Sequence, residues 1–396
     1  MDVWTPRRDN AVLGVLQNES SSAPSTDTDT AANAHIYPLT EPMYSRKLCM
    51  AGHKLGVTVL VFSPLHIDWD NMSVTAYHYH AGGWETRHVA LPALVYDRCT
   101  YANEMQHYRT KVAMSRMQRA GIRWLGIGLG GKWDIFRSLS TCPDLAPIMP
   151  PTTVYKGMKA LAEQLNHHDA NVFLKPQGGS HGRSTLHVRR ARADEGQRTM
   201  YPLQVRGRNR DNSLVQKGFS TVESGLQWID HFISKRRYIV QPYLSLTDQE
   251  ERPFDVRVLM QKNERGQWKF TGMAVRVGCS TSVTSNLHGG GHSVQALPFL
   301  IEQFGPSEAE RLASTIRHYS KLIPPALEQR HGRLSELGLD FGIDRNAHLW
   351  LLEVNSKPGR NVFSQSGERD AALKSVEYPI LYARHVMVRH LRRVCP

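Results

Sequence analysis

Three groups of residues in this chain have types and spacings that could do chemistry. The first is Phe173–Leu174–Lys175–Pro176–Gln177–Gly178–Gly179–Ser180–His181–Gly182–Arg183. An apolar strand-like run ends in a lysine and enters a glycine-rich turn. Glycines let the backbone fold tightly enough for successive N–H groups to converge on one anion. A lysine at the strand end adds a charge for a phosphate. The order is not that of a P-loop, because the lysine precedes the glycines. A hairpin turn with a solvated lysine is the plain alternative. The second group is Gly338–Leu339–Asp340 with Leu351–Leu352–Glu353–Val354–Asn355. Glu353 and Asn355 lie two apart on one strand and share a face, and Asp340 lies on the partner strand. Two carboxylates and an amide oxygen converging there suit Mg²⁺ with phosphate oxygens and waters. A carboxylate among apolar neighbours otherwise needs an Arg or Lys partner. The third group is Asp255–Val256–Arg257, with Arg276 on the neighbouring strand, followed by Ser285–Asn286–Leu287–His288–Gly289–Gly290–Gly291. Arginines on one hairpin face beside a second glycine loop form a clamp for anionic groups, although ordinary surface arginines produce the same pattern.

The elements that must position these residues follow from periodicity and turn chemistry. Over residues 1–110, strands at Ala11–Leu16, Gly56–Phe62 and Leu91–Tyr96, with a helix near 43–54, predict a small parallel α/β domain. Residues 111–241 alternate helices (Trp133–Leu139, Tyr155–Asn166, Val222–Ile233) with strands (Asn171–Lys175, Tyr238–Gln241). Between them, 183–210 breaks into short strand-like pieces that hold eight arginines. Residues 242–396 form the third part. It contains two hairpins, Val256–Lys262 with Trp268–Val277 and Leu339–Ile343 with Leu349–Val354. Between the hairpins Ser307 and Glu310 form a capping box that opens a helix to about Leu322, and 369–394 reads as a basic helix.

Composition sets the bounds. The chain has 396 residues, of which 40% are hydrophobic, enough for a sizeable core. No stretch approaches the roughly 18 apolar residues of a membrane span, and the N-terminus lacks the apolar core of a signal peptide. Five scattered cysteines without a CxxC pair argue against a disulfide scaffold and suit a reducing cytosol. The net charge of +13 fits nucleic acid, an acidic surface or an anionic ligand such as a nucleotide, and by itself distinguishes none of these. The arginine-rich segment lacks interleaved aromatics apart from Tyr201, which disfavours nucleic acid. Gly126–Gly131 matches GxGxxG but lacks the acidic residue about 20 positions on. His78, His80, His167 and His168 lack a third ligand at metal spacing and read as packing or surface residues.

Taken in order, KPxGGSxG, QPY, DVR, SNLHGGG, GLD and EVNSKPG resemble the ATP-grasp superfamily. SNLHGGG and EVNSKPG are similar to the RimK-type glutamate ligases. LGVL, GVTVLVFSP, LPALVYDR, GKWDIFRSL and LWLLEVNSKPGR extend the likeness to the YheC/YheD endospore coat-associated family over nearly the whole chain. The resemblance implies an N-terminal parallel α/β domain, a small lid and a larger core with an antiparallel sheet. It implies ATP and two Mg²⁺ ions as cofactors, and small-molecule or peptide carboxylates and amines as substrates. These would be joined through an acyl phosphate with release of ADP and phosphate. Lys132 and Lys175 would hold the phosphates under the loop Gly178, Gly179, Ser180 and Gly182, and the GxGxxG-like segment would deliver Lys132. Gln241 and Tyr243 would form the adenine hinge and Asp248 would contact the ribose. Asp340, Glu353 and Asn355 would bind the metal. Arg257, Arg276 and Asn286 would orient the transferred group, and Lys357 and Arg360 would reach the acceptor. Two details depart from the family pattern. Arg183–Ser184–Thr185 stand where Gly-Arg-Gly-Ile/Val is usual, and the Asp340-to-Glu353 spacing is one residue longer than in the RimK type, which a longer turn with Asp344 as a turn residue would explain. A non-catalytic coat or scaffold protein that keeps this shell is the alternative; such a role would place the protein at a spore coat rather than free in the cytoplasm.

Overall fold

The computed structural model describes residues 11–20, 39–179, 182–191, 201–279 and 291–394. Ser180 and Asn286 lie outside them. Three sheets follow one another along the chain. The first contains β1 (Ala11–Leu16), β2 (Val57–Phe62), β3 (Ile67–Asp68), β4 (Ser73–His80), β5 (Gly83–Ala90), β6 (Leu94–Asp97) and β7 (Arg123–Trp124). Its strands β2, β1, β6 and β7 are parallel, as the alternation of strand and helix predicts, and β3, β4 and β5 extend it with an antiparallel edge. Helix α1 (Pro42–Lys54) starts on a proline, whose fixed φ suits the first helical position. It lies so close to the sheet that a Cβ at Gly52 would stand 2.5 Å from the Val57 carbonyl. Helix α2 (Glu104–Arg119) is capped by Asn103, which accepts from the Gln106 N–H.

After α3 (Lys132–Leu139) comes the second sheet: β8 (Thr153–Val154), β9 (Asn171–Pro176), β10 (Leu186–Arg190), β11 (Leu203–Arg208), β12 (Leu214–Phe219) and β13 (Tyr238–Pro242). Helices α4 (Met158–His167) and α5 (Val222–Ile233) cover one of its faces. The third sheet runs β16-β15-β14-β17-β18, all antiparallel, from β14 (Phe254–Lys262), β15 (Trp268–Val277), β16 (His292–Gln295), β17 (Glu336–Ile343) and β18 (Leu349–Asn355). The largest apolar core lies between this sheet and α6 (Ala296–Phe304) and α7 (Pro306–His331), and includes Val256, Val258, Leu312, Ile316, Leu339 and Phe341.

Helix α7 departs from expectation at both ends. Gly305, at φ +81°, is its N-cap and Pro306 its first residue, so the Ser307–Glu310 capping box does not form. The helix then continues through Pro324 and Pro325 to His331. Two prolines remove backbone donors, but Ile323, Pro324 and Leu327 are buried, and that burial offsets the loss. Helices α8 (Asn361–Gln365) and α9 (Arg369–Val394) close the chain. Val376, Ile380, Ala383 and Val386 of α9 pack with Leu13, Leu48 and Val59 in the core of the first sheet. Among the described residues no helix is long and apolar enough to cross a membrane.

A buried ionic cluster ties the first sheet to the third. Glu336, at the start of β17, accepts from Arg98 Nη1 at 3.1 Å, from the Tyr96 hydroxyl at 2.5 Å, from Gln261 Nε2 at 3.2 Å and from Arg360. Arg98 also grips Glu41 through Nε at 2.9 Å and Nη2 at 2.6 Å. Two guanidiniums and two carboxylates balance. Removing one partner of such a set leaves an uncompensated buried charge, which costs about 3–5 kcal/mol. Glu336→Ala is therefore expected to lower the urea unfolding free energy by about that amount, whereas Leu214→Ala, at an exposed edge, changes it by less than about 0.5 kcal/mol.

Candidate functional site

Strand register builds the site. On β14, β17 and β18, Arg257 stands opposite Asp340, and Asp340 opposite Glu353, so the three form one row across the sheet. Asn355 lies opposite Gly338. Asp255 stands opposite Arg276 on β15. The alternate residues Val256, Val258, Leu339 and Phe341 point into the apolar core, and so all the polar groups share the other face.

An irregularity aims Glu353. Phe341 pairs with Leu351 and Asp340 with Glu353, so Leu352 is an extra residue on β18. Without this bulge Glu353 would lie on the same face as the core residue Leu351. The Asp340-to-Glu353 spacing thus includes an unpaired strand residue, Leu352, as well as the turn. Asp344 is a turn residue as expected: its carboxylate accepts from the Asn346 and His348 N–H groups and from Trp350 Nε1. Outside the ladder pairing, the Leu352 carbonyl accepts from Lys175 Nζ at 3.0 Å.

The charges are closely matched. Arg257 donates to Asp340 through Nε at 2.5 Å and Nη2 at 3.0 Å, and Arg276 Nη2 lies 2.9 Å from the same carboxylate. Arg276 also donates to Asp255 at 2.7 and 2.5 Å. Burial pushes the Asp340 carboxyl up, but the two guanidiniums outweigh it and hold the pKa at about 2. Glu353 instead faces ammonium groups. Lys132 Nζ lies 3.1 Å from its Oε1 and also donates to the Gly179 carbonyl at 2.8 Å. Lys132 opens α3 directly after Gly131, and its N–H donates to Gln177 at 2.9 Å, so the Gly126–Gly131 segment does deliver this lysine to the site. Lys175, on β9, is buried, and burial foremost, with Lys132 beside it, pulls its pKa down to about 8 against the pull of Glu353 and Asp340.

Between the second and third sheets lies a cleft whose lining includes Lys132, Phe136, Lys175, Ile239, Gln241 and Glu353. The Gln241 side chain donates to Thr152 Oγ1 at 2.7 Å. Gly178 and Gly179 follow Lys175, and Gly179 and Gly182 have φ of +102° and +67°, which suit glycine. Other expected positions lie apart from the lining. Tyr243 stacks on His187 with ring centroids 3.7 Å apart. Asp248 is committed to its own turn, accepting from the Glu250 and Arg252 N–H groups and from Arg252 Nε. Lys357 pairs with Asp97 at 2.7 Å and donates to the Cys99 carbonyl at 2.8 Å, facing the first sheet. Arg360 turns into the Glu336 cluster, so it is not the acceptor contact the resemblance implied.

Among the described residues no group of three or more His, Cys, Asp or Glu is placed to hold a metal ion. Strand register puts Asn355 on the same face as Asp340 and Glu353, and two carboxylates with an amide oxygen are donor types that suit a hard cation. His78 is a packing residue as expected, with Nδ1 2.8 Å from the Val59 carbonyl. Sequence reasoning gave no role to Asp255, Arg98 or Glu336. The signal was present in β17, where Glu336, Gly338 and Asp340 alternate with leucines and so mark a polar face of a buried strand.

The family model described as YheC/D like ATP-grasp matches residues 121–386. The chain is 29% identical over 325 residues to the endospore coat-associated protein YheC of Bacillus subtilis (strain 168), covering 81% of this chain and 86% of that protein. It is 27% identical over 334 residues to YheD of the same organism, covering 81% and 69%. Among solved structures, D-cycloserine synthetase DcsG matches at a TM-score of 0.55 and 11% identity, covering 96% of this chain and 99% of that one. D-alanyl-alanine synthetase A from Vibrio cholerae O1 biovar eltor str. N16961 matches at 0.50 and 11%, covering 95% and 100%. At these identities the likeness is one of fold.

Lys175 supplies a test of the site's electrostatics. Its folded pKa of about 8 lies below the ordinary 10.5, so between those values the unfolded chain holds a proton that the native one does not. Stability then rises with pH across that window, and the burden of the buried charge is fully present below it. Measured by urea unfolding at a series of pH values, the wild type should gain roughly 3 kcal/mol relative to Lys175→Met between about pH 8 and 10.5. Parallel curves would contradict the assignment.

Proposed function

The chain belongs to the YheC/D-like ATP-grasp family and has the ATP-grasp fold, and from that premise we propose that it is an ATP-dependent carboxylate–amine ligase. The observation that carries this reading is the meeting of Lys132, Lys175 and Glu353, from three separate elements, in one cleft beside the Arg257–Asp340–Arg276 ladder. In the proposed reaction a carboxylate oxygen attacks the γ-phosphorus of ATP. The bond to the β-phosphate oxygen breaks and ADP leaves. The amine nitrogen then attacks the acyl carbon, phosphate departs with the C–O bonding pair, and the amine proton passes to water.

Lys132 and Lys175 bind the polyphosphate, under a loop formed by Gly178 to Gly182. Gln241 and the backbone leading to Tyr243 receive the adenine. Arg257, Arg276 and Asn286 orient the transferred phosphoryl group, and Lys357 stands on the acceptor side. Asp248, committed to its turn, is given no role. Asp340, Glu353 and Asn355 would hold Mg²⁺, which neutralises phosphate charge when bound. No side chain acts as a nucleophile; alignment and charge neutralisation supply the catalysis. The coat association in the names of the curated relatives favours one second reading, a nucleotide-binding shell without turnover in a spore coat.

The test is ADP release with Mg²⁺ and ATP against pools of amino acids, peptides and dicarboxylates. The ligase reading expects pool-dependent release that falls by at least about a hundredfold in both Glu353→Ala and Lys175→Ala, with the fold retained by circular dichroism. Wild-type rates in both variants would refute the site. ATP binding without release from any pool would favour the shell.

A further inference from the structure

The six strands of the second sheet contain no aspartate or glutamate. They do contain Lys175, Arg189, Arg190, Arg206, Arg208 and Lys217. One face of the sheet is apolar and packs on α4 and α5. Strand register places Lys175 and Gln241 on the opposite face, where they line the cleft. Next on that face His187 stands opposite Arg206, Arg189 opposite Gln204, and Arg208 two residues beyond Arg206. One charged surface thus runs from the cleft across β10 and β11. Arg206 is exposed, and among the described residues no carboxylate pairs with it. Arg208 donates from Nη1 to the Asn212 carbonyl at 2.8 Å, which orients it without neutralising it. His187 reports the field: burial first, then Arg206 and Arg189, pull its pKa down to about 4.

We propose that this face is a docking surface for an acidic polypeptide, an Asp/Glu-rich segment whose carboxylates pair with Arg206 and Arg208. Guanidinium groups take carboxylates in bidentate pairs, and strands that carry no carboxylate add no repulsion of their own to a run of them. Sequence-independent binding of single-stranded nucleic acid needs open aromatic faces as well as charge. Here two rings beside Arg206, His187 and Tyr243, are stacked on each other. Because the face adjoins the cleft, a carboxylate of the docked segment becomes the substrate for ligation; that last step, unlike the docking, rests on the ligase reading.

The test uses the full chain and a fluorescein-labelled oligoglutamate, with oligoglutamine and oligothymidylate of equal length as comparisons, followed by fluorescence anisotropy at low salt. Oligoglutamate should bind and oligoglutamine should not. Arg206→Glu, at an exposed position, should weaken binding by roughly tenfold or more, Arg206→Lys should retain it, and Arg206→Glu with Arg208→Gln should abolish it. ATP affinity, measured in parallel, should be unchanged in all three. Failure of the wild type to bind oligoglutamate, or undiminished binding by the double variant, would overturn the proposal. So would tighter binding of oligothymidylate that the same variant abolishes. Arginine-dependent binding of oligoglutamate by a protein that does not bind ATP would keep the docking surface and remove the ligase reading. ATP binding without oligoglutamate binding would do the reverse.

Discussion

The carboxylate of Asp340, buried between the guanidiniums of Arg257 and Arg276, is the constraint on which the rest of the structure depends. An isolated charge there would be prohibitive. It is tolerated because strand register brings its partners to it from β14 and β15. A slip of one residue in β17 would turn Asp340 into the apolar core and bring Leu339 or Phe341 to the arginines. The extensive packing of Val256, Val258, Leu339 and Phe341 against α6 and α7 therefore fixes the site as well as the fold. The bulge at Leu352 is the second half of the same arrangement. It turns Glu353 to the polar face and leaves a carbonyl for Lys175, coupling the second sheet to the third through one hydrogen bond beside the cleft.

The Glu336 cluster acts in parallel at the other end of β17. Glu336 and Asp340 share a face of one strand, four residues apart. One joins the first sheet through Arg98 and Tyr96; the other organises the site. The loop that follows Asn355 is held in between, with the Pro358 carbonyl accepting from Arg98 and Arg360 and Lys357 reaching Asp97. A Cβ at Gly338 would stand 2.7 Å from the Pro358 Cβ, so only glycine lets this loop lie down on the strand. The geometry of the first sheet and that of the site are thereby mechanically linked.

Much of this was legible in the sequence. The helix Val222–Ile233 and the strand Ala11–Leu16 stand where periodicity placed them. The meeting of Lys132, Lys175, Asp340 and Glu353 is what the family resemblance implied. Local sequence could not reveal the bulge, because LWLLEVN reads equally well as a regular strand and only pairing with β17 exposes the extra residue. It misjudged α7, where tertiary burial overrides two prolines and Pro306 displaces a capping box. The resemblance sent Arg360 to the acceptor side, and nothing local tells whether an arginine after a strand faces outward or, as here, a buried glutamate. Asp255 was visible in the motif, but its part in holding Arg276 depends on a register that only the folded sheet shows.

The most direct test of the central claim is a crystal structure of the protein with Mg²⁺ and a non-hydrolysable ATP analogue. The account predicts the polyphosphate between Lys132, Lys175 and the Asp340–Glu353–Asn355 oxygens, with the adenine in the cleft beside Ile239 and Gln241. A nucleotide bound elsewhere, or a cleft that stays empty at saturating analogue while Arg257 and Arg276 remain on Asp340, would contradict it.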